Sequence, residues 1–403
     1  MSLPVLDPAV PRAVRAVYVA FIGSGFAFAS WASRIPQVRD RLGVTPGQLG
    51  LILLCIALGS LVALPTSGVV VGRFGEARTV ASMAVTLAVG LAIAAIGYNV
   101  GAVAVCIGLF LVGLGNGAWD VAMNVQGAEV ERRLRRSIMS RFHAGFSVGT
   151  VAGAGLGALM VLLRVPVTAH LLGVAVVVAA VVPISTMRGF LPHAVVHETH
   201  ESRRAVLAAW REPRTVLIGL FVLCMAFSEG TGNDWLGIAV IDGYHSSATL
   251  GTIALAIFLA AMTAGRWFGP SLLDRFGRVP VLRAGCVLAL AGLLLVVFGH
   301  VVALAWLGAA AWGLGTALGF PTGISAAADD PHRAAARVSV AASIAYVAFL
   351  AGPPFVGLIG NHVGVLHALI IATALIGIAA LICSACAPIK SADDVPAAES
   401  AVP

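Results

Sequence analysis

Long apolar windows alternate with short polar connections along the whole chain. Each window is about 20 residues long, the length a helix needs to cross the hydrocarbon core of a bilayer. In the first half they fall near Val14–Ser33, Gly47–Val71, Thr79–Tyr98, Gly101–Gln126, Phe142–Leu163 and Val167–Met187. The polar stretch Arg188–Arg214 interrupts the pattern, and further windows follow, from Thr215–Trp235 to Val363–Ala385. The pattern predicts an all-α membrane protein of about twelve transmembrane helices in two six-helix pseudo-symmetric halves. The expected parts are an N-terminal bundle over 1–190, a cytoplasmic linker over 191–213, a C-terminal bundle over 214–388 and a cytoplasmic tail over 389–403.

Polar residues inside these windows are the candidate chemistry. Asp120 lies within the fourth window, and a carboxylate at that depth costs roughly 2.5–3.5 kcal/mol on insertion scales. Asn116, Asp120 and Asn124 are spaced by four, so a helix places them on one stripe, with Trp119 adjacent. The seventh window carries Glu229 and Asn233 on one face, followed by Asp234, which is expected near the outer water interface. His143 opens the fifth window and can carry a proton near neutral pH. Trp31, Trp119 and Tyr346 are candidates for a substrate wall, although Trp31 and Trp235 also suit the aromatic belt of a membrane interface. Gly145, Gly149, Gly153 and Gly157 recur every four residues and predict a close helix contact rather than a ligand site. Pro321 predicts a kink in the tenth window.

Composition agrees with the windows. The chain is 59% hydrophobic and 11% charged, whereas a soluble domain carries about 25% charged residues. Mean hydropathy is +0.98. The net charge of +7 does not indicate nucleic acid, because the arginines cluster in alternate connections. That placement predicts cytoplasmic termini and a multi-pass protein of the cell (inner or plasma) membrane. The connection bearing Arg34, Arg39 and Arg41 is a local exception. The six cysteines sit in or beside apolar windows, and the Cys383-x-x-Cys386 pair has no nearby His, so neither a disulfide framework nor a metal is implied. The group His193, His197, Glu198, His200 and Glu201 reads as a solvated linker. No phosphate-binding loop, HExxH or nucleophile elbow is present, so no cofactor and no enzymatic chemistry are expected.

An internal repeat supports the division into halves. Gly72-Arg73-Phe74-Gly75 follows the second window, and Asp274-Arg275-Phe276-Gly277-Arg278 follows the eighth, half a chain later. The repeat resembles the loop signature of the major facilitator superfamily, G-x-x-x-[DG]-R-x-G-[RK]. The resemblance implies that Arg73, Asp274, Arg275 and Arg278 contact neighbouring helix ends and help to lock an inside gate. The first copy has Gly72 where the second has Asp274, so the second is expected to matter more. Ile35-Pro36-Gln37, Thr45-Pro46-Gly47-Gln48-Leu49-Gly50 and Asp120-Val121-Ala122-Met123-Asn124 are similar, in order and spacing, to the fucose permease-like branch of that superfamily. The resemblance implies proton coupling through Asp120 and a polar counterpart at His143; Glu229, deep in the seventh window, is a further candidate. It also implies a central cavity lined by helices one, four, seven and ten. The branch's first-helix acid would fall near Ala32, where this chain has none.

The favoured expectation is a secondary active transporter that moves a small polar, sugar-like solute with protons by alternating access. It would act as a monomer in the lipid bilayer. Asn116, Asn124, Trp119, Asn233, Trp31 and Tyr346 would meet the solute. A proton-driven exporter of amphipathic compounds is the competing reading. A non-transporting sensor and an intramembrane enzyme are further alternatives, and no paired nucleophile or metal constellation is visible in the windows for the latter. The charge pattern makes a direct prediction. A cysteine at Arg204, in a chain otherwise free of cysteine, should resist an impermeant thiol reagent added outside intact cells; efficient labelling would reverse the assigned orientation.

Overall fold

The protein is described by a computed structural model covering residues 9–134, 138–192, 203–330 and 333–389. The central-loop group His193, His197, Glu198, His200 and Glu201 lies outside these residues, as do Arg135, Arg136 and both termini. Twelve helices are long and apolar enough to cross a membrane: Ala9–Leu42, Pro46–Phe74, Glu76–Gly97, Ala102–Leu134, Arg141–Leu162, Val167–Gly189, Pro213–Gly243, Ala248–Phe276, Arg278–Phe298, Val302–Ala327, Ala336–Val363 and Val365–Cys386. They are numbered here as spans one to twelve.

Local chemistry sets their ends. Span two starts on a capping box: the Thr45 hydroxyl accepts from Gln48 N at 3.3 Å, and Thr45 N donates to Gln48 Oε1 at 2.9 Å. Pro46 follows at the first helical position, where its missing N–H costs nothing. Spans two and eight end on Gly75 and Gly277, with φ/ψ of 78°/163° and 80°/165°. This near-identical left-handed backbone explains why glycine recurs in the repeated Arg-Phe-Gly, since a side chain there would be strained. Span ten breaks between Thr316 and Gly319. The cause is Pro321, whose ring excludes the carbonyl of Ala317 four residues earlier and offers it no N–H.

The packing has an internal two-fold pattern. In the first half, spans three and four, two and four, one and five, three and six, and one and six are in contact, and each pair recurs six spans later. The halves meet along span two against span eleven and span five against span eight, two contacts that exchange under the same symmetry. The glycine ridge of span five lies against span one. The first side-chain carbon at Gly149 would stand 2.1 Å from the Ile22 carbonyl oxygen, so only glycine permits this approach. Trp31, Trp119, Trp235 and Trp312 are among the largest fully buried side chains. Trp31 and Trp235 are therefore core residues and not members of an interface belt.

The close contact of spans one and five can be tested by paired substitutions. Gly149→Val should lower the apparent Tm of the detergent-purified protein, with overpacking of about 1–3 kcal/mol. Gly155→Ala on the same helix meets open space and should leave the Tm unchanged or slightly higher. Equal effects of the two would exclude the ridge as a packing determinant.

Candidate functional site

A cavity of about 350 Å³ lies between the halves near mid-span. Span four contributes Asn116 and Asp120, span seven Thr231, Asn233 and Asp234, span two Ser60 and span eleven Tyr346. Its aromatic wall is Phe28, Phe227, Tyr346 and Phe349. The Asn-Asp-Asn stripe is held from both sides. Ser24 of span one donates to Asn116 Oδ1 at 2.8 Å. Asn124 Nδ2 donates to the Asp120 backbone carbonyl at 2.8 Å and to its carboxylate at 3.3 Å. Asp120 is exposed, and the space it faces is the cavity. Asn124 does not reach the cavity wall and acts on the carboxylate instead. On the neighbouring span two, the Ser60 hydroxyl donates to the Gly113 carbonyl of span four at 3.0 Å and shares a hydrogen bond with Tyr346 across the two halves.

Several expected residues lie elsewhere. Trp119 and Trp31 do not line the cavity and are 0% and 2% exposed. Trp119 follows Asp120's neighbour rule: one residue is a 100° turn of the helix, so when Asp120 faces the cavity, Trp119 is turned into the interface with span one, beside Gly23. Glu229 also leaves the cavity. Both its oxygens accept from Arg266 Nη2 of span eight at 2.8 Å. Arg266 Nε donates to the Ala317 carbonyl at 3.3 Å, the same carbonyl that Pro321 leaves without a helical partner. Arg266, absent from the expected site, is legible in the sequence as a charge within an apolar window. His143 is exposed, packs edge-on to Phe21 at 5.0 Å and stands within electrostatic range of Arg266. Asp234, expected at the outer interface, lines the cavity facing the same space as Asp120. Span seven continues to Gly243, eight residues past the expected window, which moves Asp234 inward.

The two ends of the molecule differ. At the end away from the arginine-rich connections, the Arg39 guanidinium grips both oxygens of Asp242, with one contact at 3.0 Å. Gly47 N of span two donates to Asn361 of span eleven at 2.9 Å, which joins the halves there. At the basic end, the turn after span eight is tied to the end of span ten. Arg278 meets Asp329 at 2.6 Å and Ser325 at 3.3 Å, and Arg214 meets the other Asp329 oxygen at 2.8 Å. Asp274 is exposed and has no ion-pair partner among the described residues. The acid that holds the second arginine loop is therefore Asp329, not Asp274, because Arg278 starts span nine directly beside the end of span ten. Arg73 and Arg275 lie over the rings of Phe74 and Phe276, at 5.7 and 5.1 Å from the ring centres. Glu212, just before span seven, binds Arg337 at 2.6 Å, Arg333 at 3.0 Å and Thr215 at 2.9 Å. The Arg337 guanidinium holds the Glu212 carboxyl below the usual carboxylate range, against an opposing contribution from burial.

Comparison with known proteins gives a consistent picture. The model of the Major Facilitator Superfamily matches residues 17–345 and 235–400. The uncharacterized transporter y4wD of Sinorhizobium fredii is 33% identical over 351 residues, covering 86% of this chain and 91% of the relative. Among solved structures, the nucleoside transporter NupG superposes with a TM-score of 0.76 at 14% identity, over 94% of this chain and 99% of that one. The E. coli fucose:proton symporter FucP superposes with a TM-score of 0.64 at 15% identity, over 95% and 100%.

The basic-end contacts lead to a prediction on stability. Asp329→Asn removes the charge shared by Arg214 and Arg278 and should destabilise the purified protein by on the order of 1–3 kcal/mol. Asp274→Asn alters an exposed, unpaired residue and should stay within about 0.5 kcal/mol of the parent. Thermal unfolding of both variants tests this, and a larger loss at Asp274 would overturn the assignment.

Proposed function

This chain belongs to the Major Facilitator Superfamily, and on that premise we propose that it is a secondary active transporter that moves a small polar solute by alternating access, coupled to protons. One observation carries the reading: a cavity between the two halves exposes the carboxylate of Asp120, held by Asn124 on the helix that also presents Asn116. An acid in such a place binds or releases a proton as the surrounding water changes with the conformation. Asn116, Asn233, Ser60 and Tyr346 offer the hydrogen-bonding groups that a polar solute needs, and Asn124 positions the acid. Glu229, paired with Arg266, and His143, near Arg266, rank after Asp120 as proton carriers because neither opens to the cavity.

In the orientation set by the arginine distribution, both termini and the Asp329 cluster face the cytoplasm. The Arg39–Asp242 and Gly47–Asn361 contacts then close the outer end, and Asp329, Arg214 and Arg278 hold the inner helix ends of the second half. Rocking of the halves about the span two–eleven and five–eight contacts would exchange access between the sides. The competing reading, proton-driven export of an amphipathic compound, draws support from the wall of Phe28, Phe227 and Phe349.

Asp120→Asn keeps the size and hydrogen bonding of the side chain and removes its titration. The variant in proteoliposomes should lose uphill accumulation driven by a proton gradient, falling to simple equilibration, while exchange of solute against solute continues. Uphill transport at the parent's level would assign the proton to another residue.

A further inference from the structure

The ionisable groups of the cavity are unequal in sign. Among its lining residues, Asp120 and Asp234 are acids, and no Lys, Arg or His is present. Two guanidinia within the spans are already committed. Arg266 binds Glu229 and the Ala317 carbonyl, and Arg34 binds His170 Nδ1 at 2.9 Å and the Val165 carbonyl at 3.1 Å. The two acids also differ from each other. The Asp120 carboxylate has the Asn124 amide beside it, whereas Asp234 makes no hydrogen bond or ion pair among the described residues.

Two side-chain oxygens near Asp234 in the sequence have no hydrogen-bond partner among the described residues. Thr231 is 3% exposed, lines the cavity, and its hydroxyl has no partner. The side-chain oxygen of Asn233 is likewise buried and unpartnered. A buried polar group without a partner is costly, so these two groups beside the unpaired carboxylate of Asp234 suit a hydrogen-bonding cation that arrives from outside. An ammonium group brings three N–H donors and a positive charge.

We propose that the transported solute carries a protonated amine, which Asp234 binds together with the oxygens of Thr231 and Asn233. The inference rests on the transporter reading above and narrows its substrate class to small hydroxylated amines, the hydroxyls facing Asn116, Ser60 and Tyr346. A monovalent amine neutralises one acid and leaves Asp120 free for the proton. Neutral sugars of the same shape would offer hydroxyl donors but leave the charge of Asp234 unanswered, and a charge-assisted hydrogen bond is roughly twice as strong as a neutral one.

The test reads the cavity directly. Gly230 lines it, and a side chain there meets open space. Gly230→Cys, in a chain otherwise free of cysteine, is treated at pH 7 with a trimethylammonium methanethiosulfonate and, separately, with a sulfonate one. The ratio of rates, relative to a simple thiol in solution, should favour the cation by about tenfold or more. Asp234→Asn should remove most of that preference. Glucosamine and galactosamine should protect the cysteine at concentrations where glucose and galactose do not. Equal rates for the two reagents in the protein with both acids intact, or protection by the neutral sugars at least as strong as by the amines, overturns the proposal. No turnover enters these measurements. Uptake of neutral sugars together with equal reagent rates would therefore retain the transporter and reject the amine, whereas cation preference without proton-driven accumulation would reject the coupling and retain the amine.

Discussion

Inside the hydrocarbon of a bilayer, a polar group finds its partner within the protein or pays heavily for having none. The chain from Pro321 to Glu229 follows from this constraint. Pro321 cannot donate to the Ala317 carbonyl, and span ten opens there. Arg266 of span eight fills the vacancy with its Nε and uses Nη2 to hold both oxygens of Glu229 on span seven. Three helices of the second half are thereby tied together by one guanidinium. The pair also explains why Glu229 is absent from the cavity wall: its charge is already answered. Trp312, whose indole N–H donates to Ser228 at 2.8 Å, makes a neutral bond of the same kind between spans ten and seven.

Small residues allow the helices to come close enough for such bonds to form. With lipid as solvent there is no strong hydrophobic drive between helices, so close van der Waals contact carries the association. The glycine ridge of span five against span one is the clearest case. The same contact scheme is repeated in the second half, and the Arg-Phe-Gly turn is repeated with it at the same backbone angles. The halves are thus two copies of one packing solution that touch mainly along two lines. A space remains between them, and some residues that line it escape the pairing imposed elsewhere. Asp234, Thr231 and the side-chain oxygen of Asn233 stand there.

Relief from pairing in the cavity is costly, which gives it meaning. The unpartnered oxygens of Thr231 and Asn233 are retained in a fold that satisfies Asn116 through Ser24 and Arg34 through His170. Partners separate Glu229 from Asp120 more clearly than depth in the membrane does. By depth alone, Glu229 and Asp120 look alike; by partners, they have different roles.

The sequence by itself determined the membrane class, the span count and the two-fold organisation. Each depends on local composition: apolar runs of bilayer length, arginines in alternate connections, and a turn glycine recurring half a chain apart. It also identified the Asp120 stripe, because spacing by four is a property of one helix. Which side chains share a cavity is decided by helix rotation and by contacts across spans, and one sequence carries no local trace of either. Trp31 and Trp119 turned inward, Asp234 turned toward the cavity, and Asp329 replaced Asp274 as the partner of Arg278 for that reason. The acid and its arginine there are 51 residues apart, joined only when spans nine and ten pack side by side. Tertiary packing likewise committed Arg266 to Glu229 and left Asp234 without a cation among the described residues, a distinction between two acids five residues apart on the same helix that only the neighbouring helices could make.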